Sequence, residues 1–124
     1  MNNLLAVACG GAIGATMRYG VSILAIRLFG TGFPFGTLLV NCVGSFAMGY
    51  LYALTMMASL SPGLKAFIGV GMLGALTTFS TFSNETVLMM QSGEWIKALM
   101  NVLLNVTLCL GMVYLGQQLV TSHS

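Results

Sequence analysis

The stretch from Leu76 to Glu85 reads LTTFSTFSNE, and seven of its ten residues are polar. Thr77, Thr78, Ser80, Thr81 and Ser83 bring hydroxyls, Asn84 an amide and Glu85 a carboxyl. Phe79 and Phe82 stand three apart among them. Hydroxyls and amide N–H groups donate hydrogen bonds, and an aromatic ring has a positive edge as well as a negative face. Donors and ring edges turned into one passage would hold an anion weakly at several points, without a full positive charge. Conduction needs binding of this kind, firm enough to admit an ion and loose enough to release it. The plainer alternative is a continuous helix whose rings pack and whose hydroxyls bond back to their own turn. The density of polar side chains favours the first reading.

Other residues could line the same passage. Asn41 sits inside the apolar run GTLLVNCVGSF. A mid-membrane amide is unfavourable without partners, so Asn41 either faces a polar path or bonds another helix as glue. Asn101, Asn105 and Cys109 recur every four residues, which places them on one helix face, with Thr107 off it. This stripe too is either path or glue.

The elements that position these residues must lie in lipid. The chain has 124 residues, 57% hydrophobic and 5% charged, against about 25% charged in a soluble domain. Two acids and four bases cannot make a water-facing surface. Residues 1–124 suffice for one small helical domain and no second. Arg18, Arg27, Lys65 and Lys97 form no basic run, so nothing supports nucleic-acid binding. Cys9, Cys42 and Cys109 fit neither a zinc site nor a disulfide framework and read as small core residues. No basic residue precedes the first apolar run, so a signal peptide is not indicated and Met1 starts the first span almost directly.

Prolines, glycines and charges divide the chain into four spans: Leu4 to Ile26, Thr37 to Met57, Ala66 to about Met90, and Ile96 to about Val120. Each is long enough for a hydrocarbon core of about 30 Å. Backbone polar groups in lipid must be satisfied internally and period-2 alternation is absent, so the spans are helices. Trp95 falls where an aromatic belt would lie. Gly69, Gly71 and Gly74 followed by threonines predict a break in the third helix near Gly74 to Thr78, with hydroxyls taking up the freed backbone groups. Gly10 with Gly14, and Ser45 with Gly49, allow close helix approach, either within the chain or between subunits. Lysines and arginines are nearly balanced between the two sides, which permits insertion in both orientations and antiparallel pairing.

GGAIGATMRY, FGTLLVNCVGSF and GMLGALTTFSTFSNE together resemble the Fluc (CrcB) family of fluoride channels, and the likeness runs through all four spans. The resemblance implies an all-α membrane protein working as an antiparallel, dual-topology homodimer with two fluoride pores. It would sit in the bacterial inner membrane and let fluoride leave passively, which confers fluoride resistance. By position, Phe79 and Phe82 match the family's pore phenylalanines and Asn41 its pore asparagine. Ser80 and Thr81 match hydroxyls beside the rings, and Glu85 matches the acid after the motif. Gly74 and Thr77 match positions whose carbonyls hold a structural sodium ion (Na+) at the dimer centre. Arg18 matches the first-helix arginine; taken by itself it either biases a vestibule for anions or snorkels towards an interface. Asn105 and Cys109 fall on the fourth helix's polar track, where Cys109 departs from the pattern because a thiol donates weakly. Ala75 replaces a glycine found in some members. The expected partners are the fluoride ion, membrane lipid and a second copy of the chain.

Lys65 and Lys97 read as interface anchors and Glu94 as a solvated loop residue. Glu85 either serves the path or caps the break. His123, in the tail, has no assigned role. A small multidrug or cation antiporter also has four helices and dual topology. That class resembles proteins with an acid in the first helix, and no acid precedes Glu85 here. A non-transporting assembly subunit is the remaining rival. An enzyme is not indicated, because there is no nucleophile–base set and no metal cluster.

Overall fold

The computed structural model describes residues 2–122; Met1 and His123 lie outside them. Among the described residues every regular element is helical: α1 (Asn3–Phe29), α2 (Phe35–Met57), α3 (Pro62–Lys65), a π-helix (Ala66–Leu73), α4 (Gly74–Leu76), α5 (Phe79–Gln91) and α6 (Trp95–Thr121). Residues 62–76 run on as one arm, and α5 is a second arm of the same third span. Four segments are therefore long and apolar enough to cross a membrane. The shortest, with 23 residues, extends about 35 Å at 1.5 Å per residue. Large apolar side chains such as Leu103, Leu110 and Tyr114 face outward, as suits a multi-pass membrane protein.

Two starts differ from the sequence expectation by more than one residue. The third span begins at Pro62 rather than Ala66, because Ser61 accepts from the Leu64 amide as an N-cap and Pro62 takes the first helical turn. The second begins at Phe35 rather than Thr37. The connecting turns rely on Gly30 and Gly93, whose φ angles of 76° and 80° are left-handed. Lys97 holds the α1–α2 loop to α6 by donating to the Gly32 carbonyl at 3.2 Å, and it pairs with Glu94 at 2.8 Å.

Small residues set the packing. A Cβ on Gly10 would overlap the Phe67 carbonyl, and one on Gly14 the Met72 carbonyl. The Gly10–Gly14 pair thus seats α1 on the first arm within one chain, rather than marking a subunit contact. Gly49 of α2 meets Val113, and Gly116 of α6 meets Phe46 and Tyr50. This seam joins α2 and α6 as parallel neighbours. Val40, Leu73 and Leu76 form the buried apolar centre beneath the break. Of the cysteines read as core residues, Cys9 is exposed on α1, while Cys42 and Cys109 are half-buried.

Candidate functional site

The third span breaks where the glycines and threonines foretold. Within the π-helix turn the Gly74 amide bonds the Gly69 carbonyl, five residues back, a wide geometry that recurs at functional sites. Thr77 and Thr78 are then extended, at φ/ψ of −82°/155° and −150°/123°. Helix resumes at Phe79, with Thr78 as N-cap accepting from the Thr81 amide at 3.2 Å. The Thr77 hydroxyl donates to the Leu73 carbonyl at 3.0 Å. Hydroxyls thus take up freed backbone groups. Glu85 does not cap the break, since Thr78 does.

Asn41 holds the break from outside. Its Oδ1 accepts from the Thr78 amide at 2.8 Å, and its Nδ2 donates to the Thr78 carbonyl at 3.2 Å and to Asn105 Oδ1 at 3.1 Å. The amide therefore pairs with both backbone groups of Thr78, as a neighbouring strand would. The network continues inward. Asn105 donates to the Asn101 carbonyl and Oδ1 at 2.9 and 3.0 Å, and Asn101 donates to the Thr86 hydroxyl at 2.9 Å. Asn101 is fully buried and Thr86 nearly so; with Thr78 they join the site through long-range bonds invisible in local spacing. The Asn101–Asn105 stripe was visible, but its partner on α5 was not.

The interruption changes which carbonyls are satisfied. In a continuous helix the Gly74 carbonyl would receive the Thr78 amide and the Thr77 carbonyl the Thr81 amide. Here those amides go to Asn41 Oδ1 and Thr78 Oγ1. Carbonyl oxygen is the donor type a hard cation takes, so Gly74 and Thr77 fit sodium in chemistry. The intervening Ala75 carbonyl accepts from Arg18 Nε at 3.0 Å. Arg18 is anchored to the break instead of reaching for an interface.

A groove of about 340 Å³ runs past this point, lined by Asn41, Thr77, Thr78, Phe79, Phe82, Asn105 and Cys109 among others. The Phe79 and Phe82 rings lie 5.6 Å apart, tilted by 53°. Phe82 is buried at 8% exposure, whereas Phe79 stands out at 78%. Thr81 accepts a bond from Thr78 Oγ1 at 3.1 Å, and Ser80 lies 3.4 Å from the same hydroxyl. Ser80, Thr81, Arg18 and Glu85 are not among the groove's lining residues. Glu85 lines a second cavity of about 280 Å³ with Thr37, Glu94 and the α1–α2 loop. Its Oε1 is buried without a hydrogen-bond partner. Thr37 had not been singled out from the sequence.

These features define a helical membrane protein whose third span is discontinuous beside a groove of amides, hydroxyls and phenyl rings. Comparison with known proteins agrees. The family model described as CrcB-like protein, Camphor Resistance (CrcB), matches residues 5–117. A relative in Shewanella sp. strain ANA-3 named fluoride-specific ion channel FluC is 69% identical over 123 residues, covering 99% of both chains. Relatives of the same name in Shewanella oneidensis and Shewanella amazonensis are 68% and 66% identical over the same coverage. The chain belongs to the CrcB family.

Proposed function

We propose that the protein is a passive, fluoride-selective channel that works as an antiparallel homodimer in the bacterial inner membrane. The observation that carries this reading is the groove beside the broken span, which lies open in a single chain with Phe79 exposed on its wall. A second copy would close it. The names of the closely similar Shewanella proteins supply the ion. Fluoride is small and strongly hydrated, so its pathway must replace water with close-fitting donors. The edges of Phe79 and Phe82 in the groove wall provide them, joined at its margin by the Ser80 and Thr81 hydroxyls, which meet the lining Thr78, and larger anions would fit poorly. Both amide hydrogens of Asn41 and of Asn105 are engaged within the chain. These residues serve the path by fixing its wall. Arg18 supports it by tying α1 to the break. Glu85 lies one cavity away and serves an approach to the path.

In this reading the Gly74 and Thr77 carbonyls hold a sodium ion where the two chains meet. Bound, the ion supplies a fixed positive charge. Preparing the protein without sodium should reduce dimer stability, measured as the dimer fraction in dilute detergent. An unchanged dimer would count against the ion's structural role.

The deciding experiment is efflux from liposomes containing only this protein, read with fluoride and chloride electrodes. Rapid fluoride loss with negligible chloride loss is expected. Proton-coupled exchange of an organic cation without fluoride flux would instead favour an antiporter.

A further inference from the structure

The side chains around the break form one line of hydrogen bonds, and every bond in it points the same way. The Thr78 amide donates to Asn41 Oδ1 at 2.8 Å, and Asn41 Nδ2 donates to Asn105 Oδ1 at 3.1 Å. Asn105 Nδ2 donates to Asn101 Oδ1 at 3.0 Å, and Asn101 Nδ2 to Thr86 Oγ1 at 2.9 Å. The Thr86 hydroxyl then donates to the Phe82 carbonyl at 2.8 Å. A backbone N–H begins the line and a backbone carbonyl ends it, so neither end can reverse. Between them each side chain accepts on one side and donates on the other. Turning over the Asn105 amide would set N–H against N–H towards Asn41 and oxygen against oxygen towards Asn101. Bonds aligned in a chain also polarise and strengthen one another. The two ends, Thr78 and Phe82, bracket the turn of α5 that carries both rings. Asn101 and Thr86 do not line the groove, and both are buried, Asn101 completely.

We propose that Asn101 and Thr86 are positioning residues for conduction, which hold Phe82 and the groove amides of Asn41 and Asn105 in one orientation from outside the path. The proposal rests on the channel reading above. Without the Thr86 hydroxyl, Asn101 Nδ2 has no acceptor and the Phe82 carbonyl loses its side-chain donor. The Asn101 amide is then free to turn, and a turned Asn101 offers Asn105 an N–H where it needs an acceptor. The disturbance thus travels through Asn105 to Asn41 and the Thr78 joint. Thr86→Ser keeps both bonds. Simple glue between α5 and α6 would behave differently, since its loss would weaken that one contact and leave Asn41 as it was.

The test follows the amides and the flux separately. Full-length protein with isotope-labelled asparagine is prepared in detergent, and the side-chain amide signals of Asn41, Asn105 and the exposed Asn84 are followed by NMR. Thr86→Val should move the Asn105 and Asn41 signals and leave that of Asn84 in place, whereas Thr86→Ser should leave all three. In liposomes Thr86→Val should lower fluoride efflux about tenfold, the rate equivalent of one lost hydrogen bond, and Thr86→Ser should restore it to within about twofold. Dimer elution should be the same for both. An unmoved Asn41 signal or undiminished flux in folded Thr86→Val would overturn the proposal, and so would an equal loss of flux in Thr86→Ser. The unsubstituted protein supplies a check that does not depend on how Thr86→Val folds. Although Asn41 and Asn105 line the groove, their engaged amide hydrogens should exchange with deuterium at least about a hundredfold more slowly than those of Asn84. Equal exchange would mean that the line of bonds does not hold. Absent fluoride flux in the unsubstituted protein would remove the channel reading and the conduction role with it, while the amide signals would still report the line itself.

Discussion

The two arms of the third span are built on opposite principles. The first, residues 62–76, approaches α1 backbone to backbone, with Gly10 and Gly14 leaving room for the Phe67 and Met72 carbonyls. The second, α5, joins α6 by the Asn101–Thr86 bond and leaves Phe79 exposed. Close-packed surfaces transmit strain and tolerate little change. An arm joined through side chains can change its exposed face without losing its seat. In the proposed function the first arm is the scaffold and the second faces the fluoride path, and Asn41 fixes the joint between them.

Substitutions can break that contrast. The largest effect is expected for Gly14→Val, where the new side chain meets the Met72 backbone. Overpacking of this kind costs about 3 kcal/mol, and size-exclusion chromatography in detergent should show loss of folded protein. A well-folded variant would mean that the first arm is not rigid. Next, Phe79→Ile and Phe82→Ile should each lower fluoride efflux by about tenfold or more, a barrier change of about 1.4 kcal/mol, with elution unchanged. Normal flux in both would remove the second arm from the pathway. Asn41→Asp comes third. It places an acceptor against the Thr78 carbonyl and Asn105 Oδ1 in place of a donor. An expected loss of about 1–3 kcal/mol should be visible in thermal unfolding together with reduced flux. Reduced flux at unchanged stability would make Asn41 a direct contact for the ion. The smallest effect belongs to Lys97→Met. Its pair with Glu94 and its bond to the Gly32 carbonyl are both exposed, and such a surface pair is worth about 0–1 kcal/mol, so flux and melting should hardly move.

Much of this architecture was legible because it is local. The four spans follow from charge scarcity, and the break from three glycines running into Thr77 and Thr78. The start at Pro62 was also there to read, since Ser61–Pro62 is a helix-start signal. The joint was not legible. Asn41 is separated from Thr78 by 37 residues, and Asn101 from Thr86 by 15. Which side chain meets which backbone group depends on how neighbouring helices are rotated, and spacing along one helix does not set that. The same limit hid the Thr37–Glu85 cavity. It also left Gly10 and Gly14 undecided between a contact inside the chain and one between chains.

The pairing of Asn41 with Thr78 has a consequence for biogenesis. During synthesis α2 emerges first, and its amide has no partner until the third span arrives beside it. Until then a new third span has no external donor for the Thr78 carbonyl. The cheapest conformation for it in lipid is an unbroken helix, with Thr78 bonded to its own turn. The interruption is thus a late event, installed once the second and third spans have met and α6 has joined them. A chain truncated before α6, lacking Asn105 to orient the Asn41 amide, should insert normally and still fail to hold the break.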